Sequence, residues 1–252
     1  MLATKPELLT SPFLETAHAF ASRKGGVSKG VYESLNLGLS TGDKPETVWA
    51  NRHLVLEAFS VPKDRVCALQ QVHSSRVVEA TASWYELEAD GAVTNKENLL
   101  LIISTADCVP ILFYDSVRGA IGAAHAGWRG TVKGVARNVV TTLSELYSSK
   151  PEDIHTVFGP CILGDCYQVG KEVIDTFVQA GFPDTVYYPD EAGRYRLDLL
   201  AANRFMLEHS GVPSSQIHSM NLCTHCDSTR FYSHRRDGLK RGGHWSGIKL
   251  TR

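Results

Sequence analysis

The sequence lacks the features that mark membrane-spanning, secreted and nucleic-acid-binding proteins. Its longest strongly apolar run, residues 99–103, is too short to span a bilayer, and its first residues lack the basic start and apolar core of a secretory signal. The formal net charge is only -1, which gives no electrostatic case for nucleic acid or an anionic membrane as the main partner. We therefore expect a cytoplasmic, monomeric protein that acts on small molecules.

Several common motifs are also missing. Six cysteines in 252 residues are too few for a disulfide scaffold, and we expect reduced thiols, metal ligands or buried small side chains instead. The C-x-x-C of residues 223–226 has no second C-x-x-C at zinc-ribbon distance, so incidental cysteines are favoured there over a structural zinc site. Neither G-x-G-x-x-G nor a P-loop occurs, which disfavours nicotinamide and P-loop chemistry.

One segment, residues 105–131, brings apolar runs, glycines and candidate functional side chains close together in the sequence. Two apolar runs, 109–114 and 120–124, flank a short glycine-containing loop, which predicts a β-hairpin. If the paired residue numbers sum to 235, Cys108 lies opposite Gly127 and shares a face with His125. A thiol beside an imidazole is either a nucleophile–base pair or part of a metal site, and the pattern alone leaves both open.

The chain after His125 predicts a glycine turn followed by a helix over residues 132–146. A helix start with exposed N–H groups attracts anions, and Arg129 would strengthen such a site. The alternative is that the glycines only form a tight turn and that Arg129 is a surface charge.

The remaining elements predict an α/β fold with a mixed sheet and helices packed on it, in one domain over residues 1–252. We expect a strand buried on both faces at 99–104, and a last strand at 217–222 before a polar, glycine-rich tail. The predicted helices cover residues 45–59, 169–182 and 199–209, the last capped by Asp198.

Taken together, the motifs resemble the YfiH/YlmD-like family, once labelled multicopper polyphenol oxidases or laccases, which includes the mammalian purine-metabolising protein FAMIN. The segments Thr105-Ala-Asp-Cys108 and His125-Ala-Gly-Trp-Arg-Gly130, in this order, are highly specific for that family. The other matching segments are Arg23-Lys-Gly-Gly-Val-Ser28, Ser34-Leu-Asn-Leu-Gly38, Gln71-Val-His73, Ala89-Asp-Gly91, Gly159-Pro160, Tyr167-Gln-Val-Gly170 and Phe231-Tyr-Ser-His-Arg-Arg236. The resemblance implies a sandwich of mixed sheets with flanking helices, related to a toxin deamidase fold.

The resemblance also implies a zinc ion held by His73, Cys108 and His125. The implied activity is phosphorolysis of purine nucleosides, namely adenosine, inosine, guanosine and methylthioadenosine, together with adenosine deamination. The partners would then be purine nucleosides and phosphate. Two departures from the family pattern, Gln168 in place of a glutamate and the tail at 239–248, leave the details of substrate choice open.

Within that implied activity, further residues are candidates for catalysis and binding. Asp107, next to Cys108, is our hypothesis for proton transfer during deamination, although adjacent strand residues point oppositely unless the chain bends there. Arg129 is the candidate for holding the phosphate. The candidate substrate-binding residues are Arg23, Asn36 and Arg236.

Three other functions compete with this reading. A copper oxidase would also use two histidines and a cysteine, but Met1, Met206 and Met220 lie outside the motifs and no H-x-H pair occurs. A metal-free cysteine hydrolase would use Cys108 as nucleophile and His125 as base. The third is a binding module with a structural metal, against which the incomplete ligand set argues.

Overall fold

The computed structural model describes residues 5–82 and 87–251. The strands found there are β1 (Leu8–Leu9), β2 (Ala17–Ala21), β3 (Val66–Ala68), β4 (Val77–Glu79), β5 (Gly91–Thr94), β6 (Leu100–Thr105), β7 (Val109–Asp115), β8 (Ala120–Ala126), β9 (Ile154–Phe158), β10 (Gln168–Val169), β11 (Tyr187–Pro189), β12 (Tyr195–Leu197), β13 (Ile217–Ser219) and β14 (His244–Lys249). The α-helices are α1 (Pro45–Phe59), α2 (Trp128–Val132), α3 (Val135–Tyr147), α4 (Lys171–Gln179), α5 (Leu199–Glu208) and α6 (His234–Asp237). None of these helices is both long and apolar enough to cross a membrane.

The strands form two large mixed sheets and one small sheet. The five-stranded sheet has the order β1-β2-β14-β6-β3, and the six-stranded sheet has the order β13-β9-β7-β8-β5-β4. Each combines parallel and antiparallel pairs: β3 runs parallel to β6, and β14 runs antiparallel to it. The small antiparallel sheet has the order β10-β12-β11.

Buried apolar side chains show how these parts stack. Leu101 and Ile103 of β6 face the six-stranded sheet, whereas Leu100 and Ile102 belong to a cluster with α1. A third cluster joins β7 and β8 to α3 and α5. The order of layers is therefore α1, sheet, sheet, and α3 with α5. This confirms the predicted sandwich of mixed sheets with flanking helices, and it explains why β6 is apolar on both faces.

The predicted hairpin is present with the predicted register. Asp115 pairs with Ala120 and Val109 pairs with Ala126, so the paired numbers sum to 235. Helix α1 has the predicted bounds, and the Asp198 side chain accepts a hydrogen bond from the N–H of Ala201, as expected of an N-cap.

Two helix predictions were wrong in their bounds. The segment predicted to be helical from residue 132 begins four residues earlier as α2 and breaks at Gly134, whose φ of 79° is in the left-handed region. The predicted helix over 169–182 is only α4, because Val169 pairs with Tyr195 in the small sheet. Tertiary pairing overrides helical spacing at this point.

The expectation of a polar tail after residue 222 was also wrong. Strand β14 lies between β2 and β6, and each of its residues is buried. Its sequence, His-Trp-Ser-Gly-Ile-Lys, carries little apolar pattern. A Cβ at Gly247 would lie 2.9 Å from a methyl carbon of Ile102, so the strand fits because a glycine stands there.

Candidate metal centre

His73, Cys108 and His125 meet at the open end of the β7–β8 hairpin, in the middle of the six-stranded sheet. His73 lies in the loop between β3 and β4, Cys108 immediately precedes β7, and His125 lies near the end of β8. Their ligand atoms are all within 4.8 Å of one another, and Cys108 Sγ is 4.0 Å from His73 Nε2. The two imidazole rings lie edge to face with centroids 4.8 Å apart.

The local backbone makes room for this cluster. At residue 127 an added Cβ would lie 2.9 Å from Cys108 Sγ and 3.0 Å from His73 Cδ2, so glycine leaves room for these two side chains. The chain bends just before Cys108, because Asp107 has a φ of 94°. The hairpin register then places Cys108 beside the end of β8, where His125 stands.

Asp90 orients the ring of His125 and holds the backbone at His73. Its buried carboxylate accepts a hydrogen bond of 2.8 Å from Nδ1 of His125, and it accepts the backbone N–H groups of Val72, His73 and Ser74 and the hydroxyl of Ser74. Burial alone would raise the pKa of Asp90, but the hydrogen bonds from His125 and Ser74 outweigh burial and lower it to about 2. Asp90 was not among the predicted site residues, and its place in the Ala89-Asp-Gly91 segment was the available signal.

The titratable side chains of the cluster shift each other's pKa values. Burial opposes ionisation of Cys108, but His125 and His73 outweigh it and lower the pKa of the thiol to about 6. Burial also opposes the charge on His125, yet Cys108 and Asp90 raise the pKa of that imidazole to about 9. Without a metal ion, Cys108 and His125 therefore form a thiolate–imidazolium pair at neutral pH.

The donor set fits a divalent transition metal. Two imidazoles and one thiolate are ligands that zinc accepts, and three protein ligands leave one position of a tetrahedral ion for water or substrate. Asp90 fixes Nδ1 of His125, which leaves Nε2 of that ring for the cluster, and this is a common way to orient a metal-binding histidine.

Comparison with known proteins gives a clear result. The family model described as multi-copper polyphenol oxidoreductase laccase matches residues 17–251. The chain belongs to this family. A Deinococcus radiodurans protein named purine nucleoside phosphorylase is 41% identical over 100% of this chain and 96% of its own length. The Bacillus subtilis purine nucleoside phosphorylase YlmD is 40% identical over 94% and 89%, respectively.

Two further relatives add a second enzyme name and a solved structure. A protein from an unknown prokaryotic organism, named adenosine deaminase RL5, is 33% identical over 93% of this chain and 94% of its own length. The crystal structure of the Bacillus licheniformis hypothetical protein YfiH superposes with a TM-score of 0.93 at 35% identity, covering 100% of this chain and 98% of that chain. Fold and family membership are thus established along the whole chain, and the family is one of enzymes.

Asp107 lies beside the cluster but faces away toward the C-terminal loops. Its carboxylate accepts hydrogen bonds from the hydroxyls of Thr224 (2.6 Å) and Ser233 (3.0 Å) and from the N–H of Arg235 (2.7 Å). These contacts hold the C-terminal loops against the start of β7. The role of Asp107 in proton transfer stays a prediction.

The three predicted substrate-binding residues also have intramolecular partners. Asn36 is fully buried; its side chain donates to Thr41 and Asp43, and it accepts N–H groups of two glycines. Arg236 donates to three backbone carbonyls of the C-terminal loops and to Asp237, and Arg23 donates to two backbone carbonyls. The side-chain donors of Asn36 and Arg236 are all used in these contacts, which brace the loops. Arg23 uses its Nε and one Nη in this way, and its guanidinium also lies over the ring of Tyr232 at 4.4 Å. Substrate binding by the three residues stays a prediction.

Arg129 differs from those two arginines. Its side chain is exposed, its guanidinium lies over the ring of Trp128 at 4.3 Å, and it makes no hydrogen bond to any residue within 5–82 and 87–251. Its charge acts on Tyr167, which also lies within electrostatic range of Cys108. Tyr167 is partly buried, and burial is the main cause that raises its pKa to about 12. Tyr167 therefore lies within electrostatic range of both Arg129 and Cys108 of the candidate centre.

A separate cavity of about 370 Å³ lies at the turn end of the β7–β8 hairpin. Its lining includes Phe13, Tyr114, His155 and His218, and none of the three cluster residues. It is therefore distinct from the candidate centre.

Proposed function

We propose that this protein is a zinc-dependent purine nucleoside phosphorylase that also deaminates adenosine. The main support for this proposal is that His73, Cys108 and His125 converge, with Asp90 holding the ring of His125. The names of the relatives support the reaction class. Adenosine, inosine, guanosine and methylthioadenosine are the proposed nucleosides, and phosphate is the proposed second substrate.

In phosphorolysis the bond from the sugar C1′ to the purine nitrogen breaks, and a bond from C1′ to a phosphate oxygen forms. When bound by His73, Cys108 and His125, zinc supplies Lewis-acid polarisation and activation of water. Asp90 keeps the imidazole of His125 in one orientation. In this proposal Arg129 holds the phosphate, because its guanidinium is free, exposed and beside the centre. The guanidinium of Arg235 lies over one face of the Tyr167 ring at 4.9 Å, and in this proposal the purine stacks on the other face.

Zinc is preferred over copper in this proposal because an axial methionine has no candidate among the described residues. Met206 packs against the cluster of β7, β8 and α3, and Met220 packs against the cluster between the two large sheets. A copper centre of the electron-transfer type uses two histidines, a cysteine and a weak axial ligand that is usually methionine.

The test is to purify the protein, quantify its metal, and incubate it with adenosine and inosine with and without phosphate. We expect free base and ribose 1-phosphate only when phosphate is present, inosine from adenosine without it, and loss of both activities on chelation. Activity that survives chelation would favour a cysteine hydrolase, oxygen consumption with phenols that scales with copper would favour an oxidase, and metal without turnover would favour a binding module.

The Arg129→Gln variant separates the two activities. We expect its KM for phosphate to rise about 10-fold or more, because one charge-assisted contact is lost, while its rate of deamination stays within about twofold. Initial rates at varied phosphate, measured beside adenosine deamination, give this split. The matched control is Arg118→Gln, since Arg118 lies in the β7–β8 turn, away from the centre. An unchanged phosphate KM in Arg129→Gln would remove Arg129 from the proposed mechanism.

A further inference from the structure

A second group of potential ligands lies outside the centre described above. The sulfur atoms of Cys166, Cys223 and Cys226 are all within 4.8 Å of one another, and those of Cys166 and Cys226 are 3.2 Å apart. Over residues 5–82 and 87–251, only this group and the His73 cluster bring three such donors together. The three thiols are free, and they come from two separate loops.

The spacing agrees with a shared metal ion. Zinc–sulfur bonds of about 2.3 Å in a tetrahedron place the sulfurs about 3.8 Å apart. The separations found here, 3.2 Å for one pair and at most 4.8 Å for the others, are within about 1 Å of that value. A small adjustment of side-chain torsions would bring all three sulfurs onto one ion.

The backbone joins the two loops that carry these cysteines. Cys161, which leads into the loop of Cys166, forms an isolated parallel β-bridge with Cys223. The N–H of Asp227 donates to the carbonyl of Cys223 at 3.1 Å, and the N–H of Cys166 donates to the carbonyl of Leu163 at 2.9 Å. The three sulfurs therefore meet on two turns that the backbone holds together.

We propose that Cys166, Cys223 and Cys226 bind one thiophilic cation of the Zn²⁺ class, with water as the fourth ligand. Thiolates select soft or borderline cations over magnesium and calcium. Cys226 is exposed and Cys166 is partly exposed, so solvent reaches the open position. The nearby Cys161 is fully buried and is not part of the group.

This second ion has a structural role beside the first centre. Thr224 and His225 lie between two of the cysteine ligands; the Thr224 hydroxyl donates to Asp107, and the Thr224 and His225 carbonyls both accept from Arg236. A cation there ties the loop of Cys166 to the loop that contacts Asp107. The cluster thus anchors one wall of the active site without taking part in the reaction.

The test uses the full chain with His73→Ala as background, so that the outcome does not depend on the first centre. Protein purified under reducing conditions and given Zn²⁺ is expected to keep one equivalent by mass spectrometry. The Cys166→Ser/Cys226→Ser double change in this background should lose that equivalent, and the neighbouring Cys161→Ala should retain it. With Co²⁺ instead, the background protein should show thiolate-to-metal charge transfer and tetrahedral visible bands, which the double variant lacks.

The change in Tm on chelation tests metal binding separately from any loss of stability that the serine substitutions cause. Chelation is expected to lower the Tm of the His73→Ala protein and to leave the Tm of the triple variant unchanged, since a bound ion stabilises only the state that binds it. The proposal is overturned if Zn²⁺ remains after both serine changes. It is also overturned if the His73→Ala protein binds no metal, or if unreduced, unfolded protein contains a Cys166–Cys226 disulfide that resists alkylation.

Discussion

The His73→Ala variant is expected to lose nucleoside turnover by roughly 10³-fold or more while keeping its fold. A metal ion contributes several kcal/mol of transition-state stabilisation, and two remaining ligands would not retain it. The fold should survive, because the His73 side chain is exposed and its backbone N–H, which donates to Asp90, is unchanged. Measurements of kcat/KM, metal content and circular dichroism check this result.

His53→Ala is the matched control for that change. His53 is also an exposed histidine, and it pairs only with Glu57 one turn further along α1, at 3.2 Å. Its replacement should leave turnover and bound metal as in the unmodified protein, since exposed ion pairs contribute little. Full activity in His73→Ala, with as many metal equivalents as the unmodified protein, would show that His73 is not a ligand.

The Asp90→Asn variant is expected to lose about 10- to 100-fold in metal affinity and turnover, which is typical when the partner of a metal-binding histidine is changed. The carboxylate accepts five hydrogen bonds, and a side-chain amide offers only one oxygen as acceptor. The amide NH₂ group that replaces one carboxylate oxygen would either face backbone N–H donors or donate to Nδ1 of His125. In the second case the ring proton of His125 moves to Nε2, the atom that must bind the metal. Zinc titration and steady-state kinetics measure both losses.

The Asp90→Asn variant also reveals how the contribution of Asp90 to the free energy of unfolding depends on pH. The pKa of Asp90 falls from 3.8 to about 2 on folding, so its stabilisation of the native state is complete above pH 3.8 and is lost as the pH falls towards 2. The shift corresponds to about 2 kcal/mol. Urea unfolding of the metal-free proteins should show a stability gap between wild type and Asp90→Asn that narrows over this acidic range. A gap that is constant with pH would contradict the assignment.

Local patterns predicted much of the scaffold. The alternation of apolar runs with a glycine loop was enough for the register of β7 and β8, and therefore for placing Cys108 beside His125. The proline and polar residues around residue 45 were enough for the bounds of α1. By contrast, β14 lies in the middle of a sheet although its own sequence is mostly polar or small, because its partners β2 and β6 are far away in the chain.

The roles of charged side chains were harder to predict. Arg236 and Arg129 are both arginines in matching motifs, yet one is consumed by backbone carbonyls and the other is free. Asp107 and Asp90 both belong to matching segments, yet of the two only Asp90 contacts a residue of the candidate centre through its carboxylate. Sequence spacing does not distinguish them, because hydrogen-bond partners come from distant loops.

By itself, the sequence determined the kind of protein: an α/β fold, two hairpin strands in fixed register, and the motif order of its enzyme family. Those properties depend on periodicity and short-range geometry, which a chain carries locally. Only the tertiary structure decided which side chains are free to act, that Asp90 organises the histidines, and that Cys166 meets Cys223 and Cys226. Such contacts join residues tens of positions apart, and packing in three dimensions sets which of them form.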